Sequence, residues 1–421
     1  MPLVRSLLNR LRSPQPAAHA ASPAAAWSFD PLDPAFLADP HADYARLRAY
    51  PGPYRTTAGA FVLSRYKDVV AGLAHPLLGN APSPYAVTHA RNRSRYVAAD
   101  LANNILPFLD APQHDLPRRV IAQTFHAHLK AHPPGLAATA AEHAARLPAS
   151  GTLDLIADYA TPLSLAVICD LIGIPRDDGP LLRSYSEYFF YLFTRIPSVA
   201  VREEIDHRLT SFRAYFAELV EARRNAPCED LLSALLAAWA EAPELSDAQL
   251  VDTLILLFAD AIENVDRCNA AAVALTLQHP QVHARLLADP SLAAWITNET
   301  LRYESPAQHI ARIARADLEF EGVAIPADSV VLLLLGAANR DPDEFPNPDR
   351  FDIDRSKNTY LSFGKGRHSC IGGSLVRWET EAGLAAFFAR FPAARLASDH
   401  LRFLPRPGHR WLERLDVSLS P

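Results

Sequence analysis

The residues with the clearest chemical potential lie close together near the end of the chain, in Leu361-Ser362-Phe363-Gly364-Lys365-Gly366-Arg367-His368-Ser369-Cys370-Ile371-Gly372-Gly373. One cysteine, Cys370, is framed by glycines on both sides. Glycine lets a backbone approach a flat ligand closely and reach positive φ. A thiolate stays ionised only beside donated N–H groups or a cation. The loop offers backbone amides together with Lys365, Arg367 and His368. Ser374 to Phe391 reads as a helix, which puts Cys370 just before a helix N-terminus, where the dipole favours an anion.

This loop resembles the haem-binding loop of the cytochrome P450 superfamily, the haem-thiolate monooxygenases, through Phe363, Gly364, Gly366, His368, Cys370 and Gly372. The resemblance implies that Cys370 is the axial ligand of a haem b iron (iron protoporphyrin IX), with electron donation that favours O–O cleavage. It also implies that Phe363 and Gly364 lie against the cofactor. Cys169 and Cys228 lack such surroundings and read as ordinary cysteines.

The elements that must position this loop can be traced backwards. Ser246 reads as an N-cap, and a helix of roughly 30 residues follows, to a stop at His279-Pro280. Its middle, Phe258-Ala259-Asp260-Ala261-Ile262-Glu263-Asn264-Val265-Asp266, falls where the family carries a small residue, a Gly, any residue, an acid and a Thr. Glu263 then takes the acid position and Asn264 replaces the threonine. Asp260 stands at the small residue and Ala261 at the Gly. Asparagine donates and accepts hydrogen bonds but has no ionisable proton. The resemblance makes Glu263, Asn264 and Asp260 the catalytic candidates and puts Phe258 and Ala261 at the substrate. Asp266 reads as a partly solvated helix charge.

His114 and Arg118 lie four apart and share a helical face. On spacing alone they are a solvated pair; the resemblance makes them haem-propionate donors. It adds Arg312 and His368 as further donors. Glu299 and Arg302 form a Glu-x-x-Arg pair, by itself a weak i,i+3 signal. With Arg350 in Phe345-Pro346-Asn347-Pro348-Asp349-Arg350-Phe351, it resembles the family's buried Glu–Arg–Arg network. Ala307, Gln308, His309 and Ile310 are expected to border the substrate.

The chain has 421 residues, 49% of them hydrophobic, and a net charge of −6. That balance gives no reason to expect a nucleic acid or an anionic membrane as partner. Four separated cysteines without a CxxC pair argue against a disulfide framework or a zinc site. No apolar run reaches the roughly 18–20 residues of a membrane span. Met1 to Trp27 lacks a signal-peptide core and reads as a flexible extension, with a short basic amphipathic start at Arg5–Arg12.

The predicted ordered elements are a helix at Pro40–Ala49, a strand pair at Tyr54–Leu63, a helix at Arg65–Ala74 and an irregular Pro76–Asn104. A core helix at Asp154–Gly173 and an aromatic-rich Leu181–Ile196 follow, then a long charged helix at Val201–Arg224. The resemblance spans residues 28 to 421 and implies a mainly α fold with a small β region, one domain around a buried haem. It implies a cytoplasmic monomer that inserts one oxygen atom from O2 into a small organic substrate, in bacterial secondary metabolism. Ferredoxin and ferredoxin reductase would supply the electrons. Asn264 leaves two alternatives open, a peroxide-driven or coupling haem enzyme and a haem-thiolate binding module.

Overall fold

The computed structural model describes residues 27–82, 86–132, 135–193, 198–356, 358–398 and 400–419. The predicted extension, including Arg5–Arg12, lies outside the described residues except for Trp27. That residue belongs to the folded body: its indole donates to Asp43 (2.9 Å) and its ring tilts against Tyr54.

The organising element is the helix Asp247–Gln278. Ser246 caps it through a capping box with Gln249, and His279 and Pro280 end it. Leu250, Leu254, Ile255, Ile262, Val265 and Ala270 are buried along it. A helix apolar on most faces must be surrounded by others. Thr161–Ile172, Val199–Asn225, Ala293–Tyr303 and Gly373–Arg390 pack against it.

The small β region stands to one side. Tyr54–Arg55, Phe61–Leu63, Val330–Leu333, Ile310–Ala314 and Leu78–Gly79 lie in that spatial order in one sheet. Phe61–Leu63 runs parallel to Val330–Leu333, and the other pairs are antiparallel. The pair Ile310–Ala314 and Val330–Leu333 fixes the register of Arg312 opposite Val331. At the C-terminus, Arg402–Phe403 pairs with Leu412–Arg414 around a turn at Gly408, where φ is +79°.

Two predicted elements and one side-chain reading differ. In the segment Asp154–Gly173, read as one core helix, Asp154 is the last residue of the strand Gly151–Asp154, paired with Asp416–Leu419, and a π-helical turn at Ile156–Ala160 precedes Thr161–Ile172. The strand partner comes from the far end of the chain and was invisible to local pattern. Its predicted stop holds: Gly173 is left-handed, φ +88°. The irregular segment ends in a helix, Val97–Ala102, whose Ala98, Ala99 and Leu101 are buried. Asp266 is not solvated: it is fully buried and accepts a 2.7 Å hydrogen bond from Thr161 Oγ1.

Candidate functional site

Cys370 is set by two backbone contacts and a helix start. Its N–H donates to Phe363 O (2.8 Å), which closes the loop on itself. Gly364 and Gly366 hold φ at +64° and +78°, a region that favours glycine. Gly373 faces the Phe363 ring, where a Cβ would sit 3.3 Å from it. The N–H groups of Gly372 and Gly373 donate to the sulfur from the first turn of Gly373–Arg390. Arg118 reaches the same loop, with Nη2 2.7 Å from Ser369 O.

Cys370 and Asp260 both carry exposed surface, yet both are enclosed by protein. Their free surface therefore opens on an internal cavity between the cysteine loop and the central helix. Burial pushes the Cys370 thiol up to about 12, helped by the Asp260 charge and opposed by the two glycine N–H groups and Arg118.

Four predicted cofactor residues meet on one side of the loop. His114 is the N-cap of Asp115–Ala131, and Arg118 stands one turn further. Pro117 falls in the first turn, where it costs no ladder bond. The His114 and His368 rings are 4.0 Å apart. Both His114 nitrogens are buried without a hydrogen-bond partner. Arg312 is 5% exposed, and among the described residues its guanidinium donates only to Ala311 O. Burial pushes it down to about 10. Burial, His114 and Arg312 together push His368 down to about 3. A cluster in which the buried His114 has no hydrogen-bond partner and the buried Arg312 donates to one backbone carbonyl fits a dianionic ligand edge such as a pair of carboxylates.

Asn80 also belongs here, and sequence reasoning missed it. Its amide nitrogen lies 3.3 Å from Asp110 Oδ1 and 2.8 Å from His368 Nε2. The amide nitrogen donates, so Nε2 accepts and the His368 proton sits on Nδ1. Asn80 lies in the loop-rich segment Pro76–Asn104, with no local signal to single it out.

On the central helix, Glu263 is 5% exposed. Its Oε2 lies 3.3 Å from Arg406 Nη1. Burial pushes its carboxyl up to about 7, against the pull of Arg406. Asn264 is engaged at both ends of its amide. Nδ2 donates to Asp260 Oδ1 (3.1 Å), and Oδ1 accepts from Trp411 Nε1 (3.1 Å). Trp411 is fully buried and packs on Phe190 and His409. The C-terminal turn, expected only as a last wall, thus grips the two central helix residues directly.

The predicted substrate wall is partly corrected. Phe258 is fully buried and turns its ring to Phe212 and Phe216 of the helix above. Gln308 points away too, accepting from Tyr44 Oη (2.7 Å), donating to Ser305 O (2.6 Å) and covering Gly336. Ala307 bridges to His409, and Ile310 approaches Gly364. Ala261 and His309 keep partial exposure. Gly408 lies against the His309 ring, and burial pushes that imidazole down to about 4.

The Glu–Arg network also needs one substitution. Glu299 takes Arg302 at 2.7 and 2.8 Å. Its second arginine is Arg355 (Nε to Oε1, 3.0 Å), not Arg350. The Arg350 side chain is exposed, and only its carbonyl joins, accepting from Arg302 and Arg355. The left-handed Asn347 (φ +48°) turns this segment.

A family model described as Cytochrome P450 matches residues 185–400. The biotin biosynthesis cytochrome P450 of Bacillus subtilis (strain 168) is 32% identical over 391 residues, covering 91% of this chain and 97% of the relative. The chain belongs to the cytochrome P450 family. The 6-deoxyerythronolide B hydroxylase of Saccharopolyspora erythraea is 31% identical, covering 86% of this chain and 91% of that one. Among solved structures, P450BioI in complex with a fatty acid-ligated acyl carrier protein superimposes with a TM-score of 0.84 at 31% identity, covering 92% and 100%. CalO2 gives 0.86 at 30%, covering 94% and 99%. The expected fold is thereby borne out, as is a P450 monooxygenase with a haem-thiolate cofactor. Bacterial homologues of this P450 act in biosynthesis and secondary metabolism. Among the described residues no helix is long and apolar enough to cross a membrane.

Proposed function

We propose that this P450 holds haem b, takes electrons from a ferredoxin and its reductase, and hydroxylates a small organic substrate in a bacterial biosynthetic pathway. The observation that carries this reading is Cys370: a sulfur with two N–H donors, opening on an enclosed cavity that Asp260 of the central helix also faces. In this reading Cys370 ligates iron, while His114, Arg118, Arg312 and His368 hold the propionates. Phe363 and Gly364 support the cofactor from the cysteine side. The bound haem supplies the oxygen-activating chemistry, and its thiolate ligand favours O–O cleavage.

The protein's own part is proton supply and exclusion of water. Glu263, with a carboxyl near neutrality, exchanges protons at Oε1 and Oε2 and is poised for pH 7. Asn264 has both ends of its amide occupied, so it positions Asp260 rather than relaying a proton. Glu263→Gln keeps the shape and removes the titrating group. Turnover at pH 7 is expected to fall about 100-fold, in the range of lost general acid–base catalysis. In wild type the proton-donating form is lost as pH rises through about 7. A pH–rate profile with that limb intact in Glu263→Gln would dismiss the role.

The engaged Asn264 favours a second reading, a peroxide-driven enzyme, because no hydroxyl stands at that position. The deciding experiment compares turnover with ferredoxin, reductase and NADPH against turnover with hydrogen peroxide. Product from peroxide alone would select the second reading. Arg119 and Lys365 are exposed on the cysteine side, whereas Arg367 is tied to Asp115 (2.6 Å). They suit docking of an acidic partner. Reversing Arg119 and Lys365 to Glu is expected to raise the KM for ferredoxin about tenfold, an effect of about 1.4 kcal/mol. An unchanged KM in steady-state reduction would remove this surface from the docking site.

A further inference from the structure

Asp260 departs most from its family position, since a carboxylate stands where the resemblance expects a small residue. It is exposed, yet enclosed by protein on the wall of the cavity that Cys370 also faces. Its neighbours define its charge. The Trp411 indole can only donate, and it donates to Asn264 Oδ1. That contact fixes the orientation of the amide, so Asn264 Nδ2 must donate to Asp260 Oδ1. The direction of donation runs from Trp411 through Asn264 and ends on Asp260. Burial pushes the Asp260 carboxyl up from its ordinary range, and the donation from Asn264 opposes that by favouring the ionised form.

Among the described residues no cation pairs with this carboxylate. Arg406 is committed to Glu263 and stacks over Trp411. Arg267 lies beside Asp266. His309 and His409 are both held neutral by burial, so neither offers a charge. Cys370 across the cavity carries the same sign as Asp260 when ionised. An enclosed anion without a partner is costly, and a ligand that brings the missing positive charge relieves that cost.

We propose that Asp260 is a recognition site for a cationic nitrogen, and that the substrate of this P450 carries an ammonium or comparable cation. The proposal rests on the haem-cavity reading above. Asn264 and Trp411 act as positioning residues that keep the free carboxylate oxygen available, and His309 provides a neutral polar wall.

The test uses the haem-loaded full chain and two probes, benzyltrimethylammonium and its uncharged carbon isostere neopentylbenzene. A quaternary nitrogen cannot coordinate iron, so the change in the haem absorption band reports entry into the cavity. Wild type is expected to bind the cation at least tenfold more tightly than the isostere. Asp260→Asn retains an acceptor for Asn264 and is expected to erase that preference, with the isostere's affinity changed less than threefold. Asp260→Ser is the second neutralising variant should the first load haem poorly. Equal affinities in wild type would overturn the proposal, as would a preference that survives neutralisation of Asp260. A reduced carbonyl complex with thiolate-type absorption shows that the haem reading stands in either case. Its absence would instead bring down the reading on which the proposal rests.

Discussion

Glu299→Gln is expected to give a protein that fails to retain haem and unfolds well below the wild type. Glu299 is 2% exposed and accepts from Arg302, from Arg355 and from Asp352 N–H (2.8 Å). Arg302 is fully buried. Neutralising the carboxylate leaves two guanidinium groups without their counter-charge in the interior. Breaking a buried pair in this way costs about 3–5 kcal/mol, a large part of the roughly 5–15 kcal/mol that holds a domain folded. The consequence reaches the cofactor through a short chain of contacts. Arg302 donates to Asn339 O, Asn339 Oδ1 accepts from Leu361 N–H (2.6 Å), and Leu361 opens the cysteine loop. Thermal unfolding and the haem-to-protein absorbance ratio both report the effect. The same measurements separate the two arginines. Arg355→Ala is expected to cost about 3 kcal/mol as the loss of a buried partner. Arg350→Ala removes an exposed side chain and should stay within about 0.5 kcal/mol. Equal effects would refute the assignment of Arg355.

Cys370→Ser is expected to abolish activity by a different route. The side chain lies on the cavity surface and is not part of the packed core, so the apo fold should melt within about 0.5 kcal/mol of wild type. What disappears is the sulfur proposed to ligate iron. Removing a nucleophile or ligand at the centre of a reaction typically costs several orders of magnitude, and a loss of at least about 1000-fold in product formation is expected. The reduced carbonyl complex should lose its thiolate-type absorption while the far-ultraviolet circular dichroism is unchanged. If Cys370→Ser kept that absorption, the ligand would have to be another residue. The two variants thus separate the support of the site from its chemistry, since one disturbs the fold and the other only the bond to iron.

Much of this architecture was legible from local pattern. The cysteine loop could be read because glycine, cysteine and basic residues act there within a few positions of one another. The central helix could be read because Ser246, a long apolar periodicity and Pro280 state its start, its burial and its end along one stretch of chain. His114 and Arg118, and Glu299 and Arg302, were paired by helical spacing that survives in the folded protein. In each case the interaction spans at most one or two turns, so its geometry follows from backbone regularity.

The corrections share the opposite property. Arg355 replaces Arg350 because the turn at Asn347 leaves the first arginine outside, and no periodicity governs an irregular segment. Phe258 and Gln308 turn away because Phe212 and Tyr44, remote in sequence, offer better packing and a better hydrogen bond. Asn264 looked like a defect in a proton relay. It became a positioning group only when Trp411, 147 positions away, closed on it. The motifs of the sequence carried the resemblance to the P450 family, and with it the expectation of the fold and of a haem-thiolate cofactor. The charge and orientation of the groups around the cavity came from side chains that only the folded chain brings together, because a buried polar group takes whatever partner packing supplies.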